Sequence, residues 1–117
     1  RDSDNAAINA RKAADDLKKS SDELAKNDAI ILKLFKQKVK QANDQRRLFD
    51  ERHRDGSKSH YNYEQFGTND PKTFYGNIQR DREAELVTEI NAAGATPNTY
   101  DLSSIDLWGD GNLKHKI

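Results

Sequence analysis

Three histidines, His53, His60 and His115, are the side chains best suited to proton transfer or metal ligation near neutral pH, and they are scattered. No two stand at the spacing of a zinc site with thiolates or carboxylates alongside, so neither a metal nor another cofactor is expected. His53 lies among Arg52, Arg54 and Asp55 at an expected helix end, where an imidazolium interacts well with terminal carbonyls without further purpose. The stretch from Asp106 to Asn112 faintly follows a calcium loop. Trp108, however, stands where the third-position oxygen ligand is needed, and no Glu closes the twelfth, so a turn is expected. Acidic pairs such as Asp15-Asp16 and Glu83-Glu85 fall on helix faces turned to solvent, whereas carboxylate catalysis needs two groups converging across a cleft. No glycine-rich phosphate loop and no nucleophile motif is present. The absence of Cys removes disulfides and thiolate chemistry. The chain is not expected to be an enzyme or to take a small-molecule substrate.

What the residue pattern does offer is surfaces. On a helical projection Lys33, Lys36, Lys40, Arg47 and Arg54 fall within an arc of about 60°, opposite an apolar stripe. Such a row suits a phosphate backbone or an anionic protein or lipid surface, and its bland alternative is a solvated face neutralised by Asp44 and Glu51. A second feature is the aromatic group Tyr61, Tyr63, Phe66, Phe74 and Tyr75, with Trp108 further on. Such rings more often close a small core, but exposed ones anchor partners. The expected partner-binding residues are therefore Lys33, Lys36, Lys40, Arg47, Arg54, Tyr61, Tyr63, Phe66 and Trp108.

Helices must position these groups. From Asp2 to about Lys26 the chain is rich in Ala, Lys and Leu, and Ala7, Ala10, Ala14, Leu17, Ser21 and Leu24 recur at gaps of three and four. The same spacing resumes through Leu32, Phe35, Val39, Ala42 and Phe49, with Ile31 beside it. Asn27-Asp28 is the expected break, giving a hairpin of helices over about 2–26 and 28–54, with Ser20 and Glu23 offering a rival capping box. The two seams join across Asp28 with a one-residue slip, so one helix of about 50 residues is the alternative. Residues 57–69 have no period and read as an ordered loop. Asp70-Pro71 starts a third helix, over about 71–93, that Gly94 stops. A short helix near 103–108 is expected before the Gly109-Asp110-Gly111-Asn112 turn, within an otherwise irregular segment 95–117.

The bulk numbers agree with one domain of 117 residues and a thin core, since Ile, Leu, Val and Phe supply only 22 of them. Net charge is zero, yet residues 29–58 carry nine basic and four acidic groups and residues 59–113 carry three and nine, so these parts are expected to face each other, the alternative being that one of them faces a charged partner. The longest apolar run is Ala29 to Leu32, far short of the roughly 20 residues that span a bilayer. There is no Met, even at position 1. A removed targeting or precursor segment is one reading of that, pointing to export or an organelle lumen, and simple trimming is the other.

The fold expected is thus all-α, an up-and-down helical bundle of three to four helices with an ordered aromatic loop and an irregular C-terminal segment. In size, lack of Cys, the Ala-rich first helix, the Asp70-Pro71 start and the Gly94 stop, the chain resembles the small helical extrinsic subunits on the lumenal face of photosystem II. That resemblance implies a stabilising subunit in the thylakoid lumen, held at the membrane only through protein partners. The expected function is accordingly a non-enzymatic helical protein docked on a larger protein assembly. The alternatives are a nucleic-acid-binding module using the basic face and a phage or secretion-apparatus structural protein.

Overall fold

The structure, a computed structural model, describes residues 2–55 and 66–117. Between residues 2 and 55 there is no Gly or Pro to stop a helix, and Asp2–Asp55 form a single uninterrupted helix, α1, of 54 residues. The expected hairpin is not formed. Asp28 caps nothing; it sits half-buried inside the helix, where its Oδ2 accepts a hydrogen bond from the Thr99 hydroxyl at 3.0 Å. Ser20 and Glu23 likewise lie on the exposed surface of the continuous helix instead of starting a new one.

The second helix, α2, spans Pro71–Ala92, close to the expected third helix. Asp70 caps it, accepting from the Thr73 backbone N–H at 3.1 Å, and Pro71 occupies the first turn with its φ preset. At the other end Gly94 takes φ +69°, its N–H reaching the Asn91 carbonyl and the Ala95 N–H the Ile90 carbonyl, both at 3.1 Å. This double closure from a left-handed glycine ends the helix and turns the chain back along α1.

The C-terminal segment is a second correction. Instead of a short helix near 103–108, Tyr100–Asp106 and Asn112–His115 form strands β1 and β2 of an antiparallel hairpin. The register runs Tyr100 with His115, Ile105 with Leu113 and Asp106 with Asn112, so β1 carries extra residues between Tyr100 and Ile105. Ser103, at the start of that expected helix, instead donates its backbone N–H and its hydroxyl to Asp101 within the irregularity. Among the described residues the fold is thus two helices and a two-stranded sheet, a mixed architecture in place of the all-α bundle of three to four helices.

The core lies along one seam of α1. Its buried residues Ile31, Phe35, Lys38, Ala42 and Phe49 recur in a heptad pattern. Counting back, the same seam passes through Asp28, Leu24, Ser21, Leu17, Ala14, Ala10 and Ala7 with no slip. Helix α2 packs antiparallel on the C-terminal part of this seam, burying Phe74, Ile78, Leu86 and Ile90. Phe74 stacks on Phe49 with centroids 4.3 Å apart at one end, and Lys38 meets Glu85 and Glu89 further along. The hairpin covers the adjoining flank with buried Tyr100, Ile105 and Leu107. Gln79 of α2 donates to the Ile105 carbonyl at 2.8 Å.

This core serves only half of α1. Every residue from Ser3 to Lys26 is exposed, and the molecule measures 86 × 23 × 17 Å. Its radius of gyration, 22.2 Å, compares with about 13 Å for a compact chain of this length.

Candidate interaction surfaces

Lys33, Lys36 and Lys40 project from the outer face of α1, and with Ala29, Leu32 and Gln37 they line an open depression of about 520 Å³. The lysine stems and Leu32 give this surface an apolar floor with ammonium groups at its rim. Lys40 is paired with Asp44 at 2.7 Å. Arg47 stands 3.5 Å from Asp44 and 3.9 Å from Glu51. The hydrogen bond from Lys40 holds the Asp44 carboxyl below its usual range, against a smaller opposing contribution from burial. Lys33 and Lys36 have no ion pair among the described residues. Their row extends towards the N-terminus at every seventh residue through exposed Lys26, Lys19 and Lys12, so the basic row is longer than the sequence reading took it to be.

The structure does not gather the other expected contact residues into this surface. Phe66 is half-buried, edge-on to Phe49 and Phe74 at 5.1 Å each, and closes the end of the core. Trp108 is half-buried at the hairpin turn, 6.0 Å from the Tyr75 ring. The Arg46 guanidinium lies over both rings, 5.0 Å from Tyr75 and 5.3 Å from Trp108. Tyr75 donates to Asp50, which raises the phenol above its usual pKa with help from burial, and Arg46 stands 3.8 Å from the same carboxylate. The Arg54 side chain, Tyr61 and Tyr63 lie outside the described residues, as does His60.

Two polar side chains whose internal contacts sequence reasoning missed, Lys38 and Asn43, define the rest. Lys38 is only 4% exposed, yet it occupies the apolar seam, 3.2 Å from Glu85 and in direct contact with Glu89. Burial depresses its pKa, but hydrogen bonds from the ammonium to Glu89 and Glu85 outweigh that, and the net value lies above the ordinary 10.5. Asn43 holds the hairpin turn, donating to Leu107 and Gly109 carbonyls at 2.9 and 3.1 Å and accepting from the Gly109 N–H at 3.1 Å. Beside it Asn43, Arg46, Arg47, Asp50 and Glu51 line a second open depression of about 480 Å³. Its charges of both signs neutralise one another, so it has no net preference for an anion or a cation. Among the described residues no group of three His, Asp or Glu could hold a metal, and no helix is long and apolar enough to cross a membrane.

The remaining surface is the free half of the seam. On it Leu17 is 72% exposed and Leu24 44%, with Ile8 beside it at 58%, in a stretch of α1 whose residues 3–26 are all exposed. The up-and-down bundle that entered the resemblance to photosystem II subunits is absent, so that resemblance supports no choice of assembly. Comparison of the chain with protein-family models, with curated proteins and with solved structures gives no match.

Proposed function

We propose that this chain is a structural protein that docks on a larger protein assembly through the projecting half of α1. The observation carrying this reading is that every residue from 3 to 26 is exposed, with an apolar seam in phase with the buried one. Most helical stability in proteins comes from packing an apolar face, and a helix standing alone in water is marginal. Here a 54-residue helix leaves half of that face uncovered while the other half is sealed by α2 and the hairpin. A chain folded only for itself gains nothing from Leu17 and Leu24 in that register. Catalysis has no comparable support, because the ionisable groups lining both open depressions are spread along the one helix α1.

Size-exclusion of gently prepared extract from the native source tests the proposal. The protein should elute with a complex far larger than itself, and Leu17→Lys with Leu24→Lys should release it. Elution of the unaltered protein free of other subunits would overturn the reading. The nucleic-acid alternative has less behind it, since Lys40 and Arg47 are already neutralised by Asp44 and Glu51.

A further inference from the structure

We infer that the free half of the α1 seam is covered by the same segment of a second copy, running antiparallel. This rests on the docking reading above and names the first partner. Three features of the structure converge on it.

The first is continuity. Ala7, Ala10, Ala14, Leu17, Ser21 and Leu24 occupy the same heptad positions as Ile31, Phe35, Lys38, Ala42 and Phe49, which α2 and the hairpin bury. The free half thus extends an interface already used within the chain, and what suits it is another helix laid along the track α2 leaves at Ala92.

The second is direction. In a parallel, in-register pair on this seam, residues 28–55 of the second copy would have to pass through the space of α2, which Phe74 and Glu89 hold against Phe49 and Lys38. An antiparallel copy meets no such obstacle. It runs the same way as α2, and its own folded half lies at the opposite end. The pairing is two-fold symmetric and closes on itself.

The third is side-chain size. In the antiparallel register that sets Leu17 against Ala14 of the second copy, Leu24 faces Ala7 and Ser21 faces Ala10. Each leucine meets an alanine and Ser21 meets an alanine, so no layer sets two large side chains against each other, as close helix packing requires. Flanking positions Ala6, Ala13 and Ser20 are small as well and let the backbones approach. The register sets Arg11 near Lys18 of the second copy, and each has an aspartate four residues on along its own helix, Asp15 and Asp22.

Sedimentation equilibrium of the full chain is the test, with a cysteine cross-link as its second arm in this Cys-free background. A reversible species of twice the 13.3 kDa chain mass is expected, and Leu17→Lys with Leu24→Lys should weaken it by about a hundredfold. On mixing, Ala10→Cys and Ser21→Cys chains should form a mixed disulfide. Ala10→Cys alone should not cross-link, because its two copies lie about 16 Å apart along the axis. A monomer at the highest soluble concentration, or ready cross-linking of Ala10→Cys with itself, would overturn the inference. A monomer that still joins a large native complex defeats the second copy and leaves the docking reading. A dimer found alone in extract does the reverse.

Discussion

The carboxamide of Asn43 brackets Gly109, accepting from its N–H and donating to its carbonyl, each at 3.1 Å. One side chain on α1 thereby satisfies both polar groups of a turn residue that has left the β ladder, and it reaches the Leu107 carbonyl as well. Asn43→Ala should lower the unfolding free energy by about 2–3 kcal/mol in urea titration, because backbone groups at the turn lose their partners. The Gly109 amide should exchange with solvent much faster in that variant. Unchanged exchange would mean that the turn is held by something else.

Gly111 and Gly109 share a turn and positive φ, +77° and +63°, but differ in surroundings. A Cβ at Gly111 would stand 2.6 Å from Val39 Cγ2 and 2.9 Å from Phe35 Cζ, whereas one at Gly109 meets open space. Gly109→Ala should therefore cost about 1–2 kcal/mol from backbone conformation alone. Gly111→Ala should cost that and about 1–3 kcal/mol more as the hairpin is pushed off α1. Equal thermal shifts for the two variants would contradict the packing described.

Lys38 gives stability an alkaline limit. Its folded pKa is raised, so its contribution is fully present below the unfolded value of 10.5 and is lost as pH climbs through the higher folded value. Stability measured from pH 9 upward should fall more steeply in the unaltered protein than in Lys38→Met. At neutral pH, replacing Glu85 and Glu89 together by Gln should cost about 3 kcal/mol, since a buried ammonium is left without a counter-charge.

Asp70 sets an acid limit of opposite sign. The hydrogen bond from the Thr73 hydroxyl, with one from its backbone N–H, holds the Asp70 carboxyl below its ordinary 3.8. Its contribution is present above 3.8 and disappears as pH falls through the folded value. Asp70→Asn keeps a capping oxygen without that titration, so its thermal midpoint should drop less than that of the unaltered chain between pH 4 and pH 2.

The projecting half of α1 should melt by itself. Ala14→Pro breaks the helix at an exposed position on which no other described element packs. Far-UV circular dichroism should lose helix, while the near-UV signal of Trp108 and the denaturant midpoint of the core stay as they were. Loss of the near-UV signal would show that the two halves fold as one unit.

The helical seams, the Asp70-Pro71 start and the Gly94 stop could be read from residue types because each rests on local chemistry: three-four spacing, a capping carboxylate, a left-handed glycine. The continuity of α1 could not. Asn27-Asp28 has the residue types of a helix break, and with Lys38 on the seam Leu32 and Val39 pass for the stripe, which shifts the apparent seam by one residue at that same point. Only the distant Glu85 and Glu89 make a lysine acceptable at that depth. The strands were missed for a similar reason. Tyr100, Leu102, Ile105 and Leu107 do not alternate cleanly, because Asp101 and Ser103 bend β1, and the hairpin owes its place to Asn43, more than 60 residues away in sequence. Of the candidate contact residues, exposure was readable for Lys33, Lys36, Lys40 and Arg47. The inward placing of Phe66 and the stacking of Trp108 under Arg46 depend on tertiary neighbours.

Because the seam of α1 is uniform for so many turns, oil alone does not tell α2 where to stop. Slid by one heptad, α2 would still find hydrocarbon beneath much of its length, but Glu85 and Glu89 would face Ile31 or Gln45 in place of an ammonium. Lys38 thus works as a detent on an otherwise smooth rail. Adhesion comes from the greasy stripe and position from the polar contacts set into it, that of Lys38 with Glu85 and Glu89 reinforced by Tyr75 with Asp50 and Arg82 with Gln45.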